Sequence, residues 1–216
     1  IDVYVDYAGT IWANEMKRTD VPEHGAMVAA IGDWAKREHD VGLIGSLGFE
    51  NAYAFAMKGA EAKAKGIASL DDLVKTAPGM TLGSDLEFLE RPEWAAVKRA
   101  YPLRFAKTTP YSPTFMYRAL ESGNVDVISA FSSDGRIAAD SLTVLTDPRH
   151  AIPGYDAILM VAPSRAKDAK FRAALTPLVG RIPVEAMRAA NYQVDRDADK
   201  QTREAAARWL AAKVGL

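Results

Sequence analysis

Cysteine is absent from this 216-residue sequence, which excludes disulfide cross-links, thiolate nucleophiles and thiolate metal sites, and is compatible with an oxidising compartment. Histidine is scarce. His24, His39 and His150 lie too far apart in sequence to form a local metal motif, and each reads as an exposed loop or helix residue. Neither sign of charge prevails: 27 Lys and Arg stand against 28 Asp and Glu, a net charge of -1. Nothing therefore steers the chain toward nucleic acid or an anionic membrane surface, and the expected partner is a small molecule. No apolar run reaches the length of a membrane-spanning helix. The Gly-x-Ser-x-Gly nucleophile elbow is missing, and the glycines compose neither a dinucleotide nor a phosphate-loop fingerprint. No pair of carboxylates is singled out by an apolar setting that would push their pKa values apart. These absences argue against catalysis, and no cofactor or metal is expected.

What is present is an ordinary globular composition, 49% hydrophobic and 25% charged, long enough to bury a real core in one large domain or two lobes. Strand-like and helix-like segments alternate. Residues 3–7 (VYVDY) read as a strand, and Met27, Ile31 and Trp34 recur at helical spacing through 25–38. A second strand is expected near 51–57. Ser69 with Asp72, and Ser84 with Glu87, match the pattern in which a hydroxyl and an acid three residues later cap a helix start. A short strand near 80–83 falls between them. Pro92 suits the first turn of a helix to Tyr101, and Pro113 opens another that Gly123 stops. Residues 125–130 read as a buried strand followed by a polar turn, 132–136. Further strands are expected near 142–146 and 155–162, and helices over 168–178, 183–191 and 199–214.

This alternation predicts an α/β fold with mostly parallel sheets, which bind ligands beyond the carboxyl ends of their strands. The strands at 51–57 and 155–162 bracket about a hundred residues able to close on their own. The expected arrangement is a discontinuous first lobe, 1–57 and 158–216, with a second lobe, 58–157, inserted into it. Four aromatic residues, Tyr7, Tyr53, Phe131 and Tyr155, fall at ends of strand-like runs, with Thr10 and Arg91 at similar turn positions. Such a set is what a methylated ammonium needs. That cation donates no hydrogen bond, so only the negative faces of π systems hold it selectively.

Four ordered motifs, Asp2 to Thr10, Gly48 to Ala54, Glu87 to Pro92 and Val125 to Arg136, resemble the substrate-binding proteins of ABC importers for glycine betaine, choline and related osmoprotectants. The resemblance extends over essentially the whole chain. It implies a two-lobed, type II periplasmic-binding-protein fold that closes like a hinge on its ligand, and an extracytoplasmic protein that hands the ligand to a membrane permease. By the same resemblance, Tyr7, Tyr53 and Tyr155 supply box aromatics. Phe131 stands where some relatives have tyrosine. Thr10 and Arg91 meet the carboxylate of a betaine, the latter with a fork geometry lysine lacks. The family pattern also carries a segment before the strand at 3–7, on the order of one βαβ unit. The first lobe is accordingly expected to be incomplete, and self-association or a strand-completing chain is a further expected partner.

Each residue has a plainer reading. Taken singly, Tyr53 and Phe131 fit a core, Tyr155 a turn, Thr10 a helix cap and Arg91 a surface ion pair. Their joint spacing favours the ligand. Trp12, Trp34, Trp94 and Trp209 read as core or lobe-surface residues outside the site. Two alternatives stay open, an enzyme and a ligand-sensing domain of the same fold for another small zwitterion. A regulator would need a DNA-binding helix-turn-helix, and no basic segment here suits one.

Overall fold

The computed structural model describes residues 1–216. The chain forms two compact units, one from Ile1–Ala52 and Pro153–Leu216, the other from Tyr53–Ile152.

The first unit is built on a three-stranded sheet in the order β1 (Val3–Tyr7), β8 (Asp156–Val161), β2 (Gly42–Glu50), with both pairings antiparallel. The central strand separates two cores by its period of two. Ile158 packs with Ile11, Trp12, Met27 and Ile31, whereas Ala157 and Leu159 pack with Leu47, Phe49 and Ile182. Helix His24–His39 presents Met27 and Ile31 to the first of these cores. It starts where the Glu23 carboxylate accepts the Ala26 amide at 3.1 Å and stops at Asp40 in the left-handed region. The C-terminal helices Ala169–Leu175, Val184–Asp195 and Arg203–Lys213 belong to this unit, and Leu175, Met187 and Leu210 cover the second core.

The second unit holds a five-stranded sheet in the order β5 (Lys107–Pro110), β4 (Thr81–Ser84), β6 (Val127–Phe131), β3 (Tyr53–Lys58), β7 (Leu142–Val144). The β5, β4 and β6 strands run parallel, while β3 is antiparallel to both β6 and β7. Its largest core gathers Phe55, Met57, Leu73, Leu82, Phe88 and Tyr101.

The α/β class stands, but instead of mostly parallel sheets the first unit has an antiparallel one and the second a mixed one. A strand buried on both faces shows an apolar run whichever way its neighbours point, so direction is not written in the run itself. The lobe boundaries shift for a related reason. Residues 53–57, expected in the first lobe, pair with β6 and β7 and therefore belong to the second unit. Residues 153–157, expected in the second, lead into β8 between β1 and β2. The β2 strand itself was not anticipated, because Gly42, Gly45 and Gly48 interrupt any alternating pattern. At Gly48 the backbone has φ +106°, and a Cβ would lie 3.0 Å from the Gly180 carbonyl carbon.

The capping box at Ser69 and Asp72 is present, with both reciprocal hydrogen bonds formed. Ser84 and Glu87 do not start a helix. Ser84 ends β4 with a buried hydroxyl that finds no partner, and the acid that caps the turn after β4 is Asp85.

Candidate functional site

In the first unit the Tyr7–Thr10 segment turns directly from β1 into a short helical stretch, Ala8–Thr10, that continues as a wide turn over Ile11–Glu15. The Tyr7 amide donates to Asp6 Oδ1 at 2.7 Å. Burial, reinforced by Asp6 and Tyr4, raises the Tyr7 phenol above its ordinary pKa. Thr10 caps nothing with its side chain, so the cap reading of that residue is set aside.

Tyr155 lies against the same turn. A Cβ on Gly9 would stand 2.8 Å from Cε2 and Cζ of the Tyr155 ring and 2.9 Å from the Gly154 carbonyl oxygen. Only the bare backbone of glycine admits the ring there. The Tyr155 amide donates to Glu50 Oε2 at 3.2 Å, and its carbonyl accepts the Asn51 amide at 3.0 Å. A neighbour that sequence reasoning did not single out is His24. Its Nδ1 is 3.0 Å from Asp156 Oδ2, and its ring sits where a Cβ on Gly154 would meet it at 2.8 Å. The structure thus brings Tyr155 onto the turn that carries Tyr7 and Thr10. Gly9→Ala should cost about 1–3 kcal/mol of stability through overpacking, readable in a urea melt. A melt within experimental error of the parent would show that the ring yields freely.

In the second unit Tyr53 and Phe131 are direct cross-strand partners on β3 and β6. Their ring centroids are 4.6 Å apart, and Phe88 approaches Tyr53 at 4.9 Å. The Arg91 guanidinium lies 5.3 Å from the Tyr53 ring centroid. Tyr53 is only 7% exposed. Burial first, then the Asp85 charge, push its phenol up to about 12. Arg91 is paired as well as stacked: its Nε and Nη2 donate to the Glu93 carboxylate at 3.2 and 3.0 Å.

Phe88 was not anticipated as a member of this cluster, and neither was the group that places it. Asp85 Oδ1 accepts the amides of Glu87 and Phe88, each at 3.0 Å, and opens the tight turn Phe88–Glu90. The Ser129 hydroxyl donates to Asp85 Oδ2 at 3.1 Å, and the Asp85 amide donates to Ser129 Oγ at 3.0 Å. One carboxylate ties the turn bearing Phe88 to the strand that ends in Phe131. Asp134 anchors that strand's end by accepting the Phe131 amide at 3.2 Å together with the Tyr117 hydroxyl.

Of the sequence-predicted residues, the second unit therefore gathers Tyr53, Arg91 and Phe131, and the first gathers Tyr7, Thr10 and Tyr155. Trp94 stays outside the predicted site, in the core beside Phe88 at 5.6 Å. No group of three or more His, Asp or Glu is arranged to hold a metal ion.

Comparison with known proteins bears on the family and the fold. A carnitine transport binding protein of Listeria monocytogenes, OpuCC, is 27% identical over 192 residues, covering 88% of this chain and 62% of that protein. An ergothioneine transport permease and binding protein of Helicobacter pylori, EgtU, is 27% identical over 198 residues, covering 90% of this chain and 35% of that protein. The chain thus spans less than two thirds of the length of these relatives. Among solved structures, a glycine betaine/carnitine/choline ABC transporter protein superposes with a TM-score of 0.89 at 26% identity, covering 98% of this chain and 78% of that one. The fold is that of the type II periplasmic binding proteins, shared also with lactococcal OpuAC at a TM-score of 0.57 and 18% identity, over 96% of this chain and 82% of that one. The family described as the substrate binding domain of the ABC-type glycine betaine transport system matches residues 1–212, and the chain belongs to it.

Proposed function

We propose that this chain binds a quaternary-ammonium osmoprotectant, such as glycine betaine, choline or carnitine, and delivers it to an ABC importer permease on the extracytoplasmic face of the membrane. The proposed ligand residues are Tyr7, Thr10 and Tyr155 of the first unit and Tyr53, Arg91 and Phe131 of the second. The observation that carries the reading is the Tyr53 cluster, in which a π system already holds a cation, the Arg91 guanidinium, at 5.3 Å. A trimethylammonium group asks for the same faces and, having no N–H, asks for nothing else. Membership of a glycine betaine transport family supports the same class of ligand. The relative named for ergothioneine, itself a trimethylated amino-acid betaine, widens the panel to larger betaines.

Isothermal titration with glycine betaine, carnitine, choline and ergothioneine, beside unmethylated glycine, tests the proposal. Binding of at least one methylated ligand with no heat from glycine is the expected result. Equal binding of glycine would mean that ammonium hydrogen bonds, not ring faces, hold the head group. The carboxylate end has its own test. Arg91→Lys should weaken a betaine about tenfold more than choline, because the forked contact is lost only where a carboxylate receives it. The same loss for both ligands would assign Arg91 to the fold alone.

A further inference from the structure

Arg91 does not meet a ligand unaccompanied. Two of its nitrogens are committed to Glu93 in a forked pair, and its Nη1 lies 3.9 Å from Glu87. The Glu93 side chain is 6% exposed against 36% for Arg91, so the acid is the fixed partner and the guanidinium the adjustable one. The backbone favours this charge state. Arg91 is the extended residue before helix Pro92–Ala100, and Glu93 falls in the first turn, where unpaired amides and the helix dipole stabilise a carboxylate. No side chain caps this helix start. Around the Tyr53 hydroxyl the charged groups that act are Asp85, Glu87 and Glu93 against Arg91, three carboxylates to one guanidinium. That surrounding suits a bare cation. It handicaps a ligand that brings a carboxylate of its own.

We propose that Glu93 is a positioning residue that sets ligand specificity, competing with a ligand's carboxylate for the Arg91 fork and so shifting preference from zwitterionic betaines toward cationic choline-type ligands. The proposal rests on the quaternary-ammonium reading above and adds to it which member of the class is favoured, and by which side chain. Glu93 need not touch the ligand. Its effect passes through Arg91, because a guanidinium engaged by an internal carboxylate offers a second one less than a guanidinium released from it.

Titration of choline and of glycine betaine into the parent and Glu93→Gln chains tests this. Glu93→Gln should raise the betaine-to-choline affinity ratio by about tenfold, since a charge-assisted hydrogen bond is transferred from the protein to the ligand. A merely structural role would lower both affinities together. In an Arg91→Lys background the same substitution should move the ratio by less than about twofold, the coupling expected of two residues acting through one contact. If Glu93→Gln loses its cooperative melt, Glu93→Asp keeps the charge but withdraws the carboxylate, and should shift the ratio the same way by about threefold. A ratio unchanged in the folded variants, or a ratio change that survives Arg91→Lys, overturns the proposal alone. A parent chain that binds carnitine or ergothioneine but neither choline nor glycine betaine overturns this proposal alone, whereas one that binds no methylated ligand of the panel overturns the quaternary-ammonium reading and this proposal with it.

Discussion

Tyr53→Ala is expected to lower the unfolding free energy by about 3–5 kcal/mol, the largest loss of any single site substitution, because it empties a buried aromatic volume. The ring it removes touches Phe131 at 4.6 Å and Phe88 at 4.9 Å and carries Arg91 on its π system. Phe88 belongs to the main core of the second unit and Phe131 packs against it, so neither ring can follow the retreating side chain without opening gaps elsewhere. Tyr53→Phe keeps the ring faces and should cost less than about 1.5 kcal/mol, the scale of one hydrogen bond. Ligand affinity should divide the two variants in the same order. Tyr7→Ala and Tyr155→Ala should each weaken quaternary-ammonium binding by about 1–2 kcal/mol, with Phe at either position costing less. Urea melts followed by circular dichroism, beside titration of the best methylated ligand, supply both readings. If the Phe variants melt like the parent yet bind as poorly as the Ala variants, hydroxyls hold the ligand and the π-face account fails.

Asp85→Ala should come next at about 2–4 kcal/mol, although Asp85 is a small side chain on a turn; a buried polar group left without a partner costs about 1–3 kcal/mol, and here more than one is affected. Its carboxylate satisfies two backbone amides and the hydroxyl of Ser129, itself buried. Removing the acceptor leaves these donors with partners to find. The turn it releases carries Phe88 and leads to Arg91, so ligand affinity should fall with stability. Asp85→Asn retains an oxygen for the amides and should recover about half of the loss. A melt of Asp85→Ala within about 0.5 kcal/mol of the parent, the range of an ordinary surface change, would show that the turn is held by packing instead.

The same residue shows where reading the sequence stops. Ser84-Asp85-Leu86-Glu87 satisfies a capping pattern with Ser84 as the cap, and satisfies another with Asp85. Only the end of β4 decides between them, since Ser84 is still in the strand and its hydroxyl is buried. Tyr53 was legible as a strand residue because aromatic residues in apolar runs favour strands, whereas Phe131 was read as lying just past a strand that in fact ends on it. That they stand directly opposite each other depended on β3 running antiparallel to β6, which local sequence does not encode. Glu93 was invisible for a different reason. An acid in the first turn of a helix is so ordinary that nothing marks the one whose oxygens close a fork on Arg91. The Ser69 and Asp72 box, by contrast, was fully readable, because both of its hydrogen bonds lie within four residues.

The placing of Trp94 has an optical consequence. Trp12, Trp34 and Trp209 belong to the first unit, which leaves Trp94 as the one indole of the second. It is buried among Phe88 and Phe55, with the Lys98 ammonium 5.4 Å from the centre of its ring. Phe88 connects it to Tyr53 by ring contacts of 5.6 and 4.9 Å. Emission from an indole shifts with the charge and packing around it. A chain with phenylalanine at the other three positions would therefore carry an intrinsic fluorophore two contacts from the Tyr53 face, an unlabelled readout for the ligand proposed to bind there.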